Sequence, residues 1–160
     1  MNWTWHRAGL ADVHAIVNIA QRHFESEADT IFATDPLEYA RNVSMAISSQ
    51  MWNPYTELVM VARHQDQIVA YMWARRNERA AWSSEEMVVV RMAHIDMSLS
   101  ARHRVTLVKQ MIGLWEVWAA ECGIPIVCST TMRQSQDGFL RIHHKLGYDV
   151  RGSIAYKRLT

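Results

Sequence analysis

The chain has 160 residues, of which 49% are hydrophobic and 21% charged, and its formal net charge is +1. Those figures fit one folded domain of ordinary size and exclude a disordered tail or linker. They also exclude a broadly basic surface of the kind that holds nucleic acid by neutralising phosphates.

Trp3-Thr4-Trp5-His6-Arg7 alternates like a short strand, and Gly9 breaks it. From Asp12 onward Val13, Ile16, Val17, Ile19, Ala20 and Phe24 recur at helical spacing. Asp35 before Pro36 signals a second helix start, since proline there lacks only an N–H the first turn does not use. Leu37, Ala40, Val43, Ala46 and Ile47 carry that helix to its close near Asn53-Pro54. Residues 58–62 and 68–74 read as a strand pair around a turn at 64–67, and 77–86 as a polar loop. Residues 87–99 form a long strand with a β-branched centre. The longest helix is expected over 102–121, where Val105, Val108, Met111, Ile112, Trp115, Trp118, Ala119 and Cys122 share a face. Gly123 and Pro125 end it. A buried strand at 126–129, a helix near 135–146 and strands at 148–150 and 154–159 complete the order.

This order predicts a single α/β (α+β) domain over residues 1–160. Its sheet is mixed, mostly antiparallel and twisted, with about seven strands, four helices and one parallel step between strands four and five. No apolar run approaches the roughly 20 residues that cross a bilayer, and the start MNWTWHRAG has no basic-then-apolar leader pattern. Cys122 and Cys128 are the only cysteines, with neither redox nor zinc-ligand spacing. A cytoplasmic protein with no metal, no membrane partner and no nucleic acid is the expectation. Seven Trp and ten Met read as core packing or the lining of an apolar groove.

Three features of the second half carry a family resemblance. Met111-Ile112 through Trp118-Ala119 to Gly123 is similar to the third helix of the GNAT superfamily of acyl-CoA-dependent N-acetyltransferases. Residues 124–128 sit where that family has its fifth strand. His143-His144-Lys145-Leu146-Gly147-Tyr148 resembles its Tyr-x-Lys-x-Gly-Phe signature. The resemblance implies that strands four and five splay apart, and that acetyl-CoA docks on the freed edge of strand four as an added strand. That edge is expected at Met97, Ser98 and Leu99. The pyrophosphate is expected on the start of the third helix, where free amides and the helix dipole attract anions.

The family's Gln/Arg-x-x-Gly-x-Gly/Ala loop falls on His103, Arg104, Val105, Thr106, Leu107 and Val108, and neither glycine is present. Arg102, Arg104 and Lys109 offer charge in place of the close backbone approach that glycine permits. The other reading is that Ser100 caps a helix beginning at Ala101, with no phosphate loop at all. Gln136 stands where the family often has a cofactor-contacting Asn.

Acyl transfer needs a base for the amine and an acid for the departing thiolate. His143 stands at the family's acid tyrosine, or is simply a half-buried helix residue. His94 with Asp96 is the base candidate, because residues two apart on a strand share a face; a plain solvated pair is the alternative. Glu85 and Glu86 are further carboxylates in the preceding loop. The resemblance implies an N-acetyltransferase acting on a primary amine of a small molecule or a protein, in a family whose members often form homodimers. The competing reading is a GNAT-fold protein without catalysis, serving as a binding or structural component of a viral particle or regulatory complex. An RNA-binding αβ module is disfavoured, since no Gly-aromatic ribonucleoprotein string occurs.

Overall fold

The computed structural model describes residues 2–27, 32–131 and 136–152. In chain order the elements are β1 (Thr4–Arg7), α1 (Val13–Glu27), α2 (Pro36–Trp52), β2 (Glu57–His64), β3 (Gln67–Arg79), β4 (Glu86–Ile95), α3 (Ala101–Glu121), β5 (Ile126–Ser129) and α4 (Asp137–Lys145). The strands form one sheet in sequence order, antiparallel throughout except for the parallel β4–β5 step.

Local chemistry accounts for several boundaries. Asp35 Oδ1 accepts the amides of Leu37 and Glu38 at 2.9 and 3.1 Å, with Pro36 at the first helical position. Gly123 takes φ 70° after α3, a conformation that costs a side-chain-bearing residue. Before α1, Asp12 accepts the Gly9 amide at 2.8 Å and pairs with Arg63 on β2, which ties the first turn to the sheet.

Because successive strand residues face opposite sides, the sheet carries two apolar layers. Val59, Val61 and Tyr71 meet Ile16, Ala20, Val43 and Ile47 of α1 and α2. Ala62, Ala70, Met72, Val88 and Val90 meet Leu107, Met111, Trp115 and Trp118 of α3. The tryptophans divide by role. Trp115 donates to the Tyr148 hydroxyl at 2.8 Å and Trp118 to the Pro54 carbonyl at 3.0 Å. Trp3 and Trp5 both donate to Gln110, and Trp73 to Glu57. Trp52 and Trp82 are instead 92% and 90% exposed, so the tryptophan load is only partly core.

The predicted class and the parallel fourth and fifth strands are observed, with five strands among the described residues rather than about seven. Residues 148–150 are irregular, and the strand expected at 154–159 lies outside the described residues. Residues 77–79 belong to β3 and not to a loop. The last strand residue of β4 is Ile95 rather than Leu99. Its termination has a local cause: Asp96 Oδ1 accepts the Ser98 amide at 2.9 Å, an Asx turn that bends the chain out of the sheet. No described helix is long and apolar enough to cross a membrane.

Candidate functional site

The parallel pairing of β4 with β5 runs from Met87↔Ile126 to Val90↔Ser129 and stops. β4 continues through residues 91–95 still paired to β3, and among the described residues no strand borders it on the β5 side. At the point of divergence the β3 register skips, with Trp73 opposite Met92 and Ala74 opposite Val90. Arg91 is therefore a bulge residue. A bulge raises local twist and bends its strand, which is a physical cause for the two strands to part. The result is a wedge in which one backbone edge of β4 has no strand partner among the described residues, and such an edge requires hydrogen-bond partners. Ser129, the last β5 residue beside it, has a buried hydroxyl with no partner among the described residues.

The same bulge decides which way His94 faces. Val88 and Val90 pack toward α3, but after Arg91 the parity reverses, and His94 lies on the α1 side. It is directly opposite Tyr71, with the rings stacked at 5.3 Å and 19°, and Phe24 of α1 meets it edge-on at 5.4 Å. Phe24 in turn meets Tyr39 of α2 edge-on at 5.4 Å. Burial pushes the Tyr39 phenol upward, so it stays protonated. Beside this aromatic row a cavity of about 320 Å³ lies between α1 and α2, lined by Val17, Gln21, Phe24, Phe32, Ala33, Thr34, Asp35, Pro36, Glu38, Tyr39, Asn42 and Met92. Met92 belongs to the part of β4 that extends past its pairing with β5, so cavity and wedge adjoin there.

Asp96 does not share a strand face with His94. It lies one residue past the strand, its amide donating to Val69 at 2.8 Å and its carboxylate accepting from Ser98. Period two stops applying where the strand does. Met97, Ser98 and Leu99 are likewise in this turn, and the edge that no described strand borders sits earlier, at 91–95.

Residues His103, Arg104, Val105, Thr106, Leu107 and Val108 lie within the first turns of α3 and form no loop. Ser100 is the cap: its Oγ accepts the His103 amide at 3.4 Å and its carbonyl accepts Arg104 N at 3.0 Å. The amides at the helix start are those of Ala101 and Arg102, whereas those from Arg104 onward serve the helix itself. Thr106 turns its hydroxyl onto the Arg102 carbonyl at 3.0 Å, and Arg104 donates to the Met97 carbonyl at 2.9 Å. His103 packs edge-on against Trp3 at 5.6 Å, and Leu107 is fully buried.

His143 is 2% exposed on α4, between Trp115, Phe139 and Tyr148. Its Nδ1 bonds the Phe139 carbonyl at 3.0 Å, which makes that nitrogen the N–H donor. Nε2 is then a bare acceptor, without a partner among the described residues. Burial lowers its pKa, partly offset by the Phe139 carbonyl, so the ring is held neutral. A neutral ring with this tautomer accepts a proton and does not suit the acid role that its motif position implies. Gln136 precedes α4, exposed, and makes no side-chain cap.

Glu86 is engaged by two Arg76 nitrogens, Nε at 2.8 Å and Nη2 at 3.0 Å, and by the Asn77 amide. The Arg76 hydrogen bond leads in holding its carboxyl down to about 2, so it is a structural anion and a poor base. Burial pushes the Cys128 thiol up, away from a reactive thiolate. Sequence reasoning passed over Ser129, Tyr71, Phe24 and Tyr39. Only Phe24 and Tyr39 carried a signal, as aromatic members of amphipathic helix faces, which by itself reads as core.

No protein-family model matches the sequence, and no curated protein matches it. Solved structures do, over nearly the full chain. The aminoglycoside N-acetyltransferase AAC(6')-Iy in complex with CoA superposes with a TM-score of 0.74 at 11% identity, covering 98% of this chain and 94% of that one. A predicted acetyltransferase with acetyl-CoA from Clostridium acetobutylicum gives 0.72 at 13% identity, covering 99% and 97%. Glucosamine-6-phosphate N-acetyltransferase from Arabidopsis thaliana gives 0.70 at 10% identity, covering all of both chains. Identities this low speak to architecture alone. Strand order, the β4–β5 wedge and these superpositions agree: the chain has the fold of the GNAT superfamily of N-acetyltransferases.

Proposed function

We propose that the protein is an N-acyltransferase that passes the acetyl group of acetyl-CoA to a primary amine of a small molecule or protein. The observation that carries this reading is the β4 edge at 91–95, which no strand among the described residues borders once the parallel partner strand has ended at Ser129. Such an edge suits the amide groups of a pantetheine arm, which extend a sheet as a peptide does. The Ser129 hydroxyl, buried and unpartnered among the described residues, adds a donor at the wedge. The Ala101 and Arg102 amides and the Arg102 guanidinium suit a pyrophosphate at the helix start, with charge replacing the absent glycines.

Bound acetyl-CoA supplies a thioester carbonyl to the attacking amine. As the C–N bond forms and the C–S bond breaks, CoA leaves as its thiolate and the amine gives up a proton to His94, the base we assign, from which that proton is available to the thiolate. It lies on the α1 face, next to the cavity and on the part of β4 that extends past its pairing with β5. Asp96 and His143 have no part in this assignment, for the reasons of geometry and tautomer given above.

Calorimetric titration with acetyl-CoA, followed by a thiol-release assay with amines, tests the reading. Binding and amine-dependent thiol release are expected. No heat at millimolar acetyl-CoA would overturn it. The second reading, a non-catalytic GNAT-fold binding component, would then stand; the glycine-free stretch from Met97 to Ile112 favours it.

A further inference from the structure

We infer that the cavity between α1 and α2 is built for a compact apolar monoamine of the arylalkyl type, not for a phosphorylated or polyamino sugar. The identification of the cavity as an acceptor site rests on the acyl-transfer reading; its ligand chemistry rests on the lining. Its walls are Val17, Phe24, Phe32 and Met92, and its volume of about 320 Å³ is at the small end of ligand pockets. Its charged lining residues among those described are Asp35 and Glu38, with no Lys or Arg. Among the described lining residues a phosphate would find no cation, and the nearby Arg41 is taken by Glu38. A polyhydroxylated sugar would leave hydroxyls unpaired against the apolar walls, which disfavours its burial.

The arrangement orders the approach of an amine. Asp35 uses Oδ1 to cap α2, which leaves its other oxygen to attract an ammonium, while Glu38 beside it is paired with Arg41 at 3.4 Å. Further in, the walls are apolar. Desolvation there disfavours the charged form and releases the neutral, nucleophilic amine. Met92 and Phe24 mark the inner end: Met92 lies two residues before His94 on the part of β4 past its pairing with β5, and Phe24 touches the His94 ring. An aryl group seated between Phe24 and Phe32 would thus hold a short-chain amine toward the wedge.

Direct binding to the full chain, without acetyl-CoA, tests this independently of catalysis. Phenethylamine, glucosamine 6-phosphate and an aminoglycoside are titrated and followed by nuclear magnetic resonance. Phenethylamine should bind, and Asn42→Trp, which fills the cavity from an exposed position, should weaken it at least tenfold while changing acetyl-CoA affinity less than twofold. Phe32→Ala, also at an exposed position, is the second variant and should weaken phenethylamine alone. Absence of phenethylamine binding, tighter binding of either sugar, or indifference to both variants would overturn the inference. If phenethylamine binds as expected but is not acetylated in the presence of bound acetyl-CoA, the acyl-transfer reading fails and the pocket assignment stands.

Discussion

His94 and His143 pack on opposite faces of the sheet. His94 stacks on Tyr71 at 5.3 Å beneath α1, whereas His143 stacks on Trp115 of α3 at 6.0 Å. With the sheet between their packing layers, the two rings do not form a relay, and they call for different experiments. For His94 the readout is turnover; for His143 it is stability.

His94→Asn should lower kcat by about 10²-fold or more, the usual worth of a positioned base, with acetyl-CoA affinity within twofold of the parent. Steady-state thiol release together with calorimetry checks this. Equal losses in kcat and in acetyl-CoA affinity would show instead that the ring supports the fold of β4.

His143 governs an acid limb of stability. Burial holds its folded-state pKa below 6.5, so between that lowered value and 6.5 the unfolded chain binds a proton that the folded chain does not. Stability from this group is complete above about 6.5 and declines as pH falls toward the folded value, by at most about 1.4 kcal/mol per pH unit. His143→Phe keeps the aromatic packing and should flatten the slope, as read by urea denaturation between pH 5 and 8. An unchanged slope would place the acid sensitivity elsewhere.

Arg102→Ala should weaken acetyl-CoA binding about tenfold at low salt, and the difference from the parent should shrink as ionic strength rises. The same titration with pantetheine, which lacks the pyrophosphate, should show no effect of the substitution. Equal weakening of both ligands would remove Arg102 from the phosphate site.

Gln50 is 4% exposed and clips α2 to the sheet, its Nε2 donating to Ala8 O at 3.3 Å and its Oε1 accepting Val59 N at 2.8 Å. Gln50→Leu preserves bulk but strands a buried amide and carbonyl, at a cost of about 1–3 kcal/mol. Chemical denaturation measures it. A loss near zero would mean that water reaches both groups.

What the sequence alone determined was set by short-range chemistry. Asp35 before Pro36 names the start of α2 because capping is a contact within three residues. Gly123 names the end of α3 because a positive φ is a property of one residue. The 126–129 strand and the parallel β4–β5 step follow from apolar runs and element order. The tertiary structure decided the rest. The Arg91 bulge arises from the fit of β4 to β3, so counting by twos along β4 gives no sign of it, yet it fixes the face His94 occupies. The closing of the chain at Asp96 separates that residue from His94. His143 looks like an acid in its motif and becomes a neutral ring only where Trp115, Phe139 and Tyr148 surround it. Spacing along a chain can place a group near a reaction, but its protonation and facing depend on distant residues that exclude water from it.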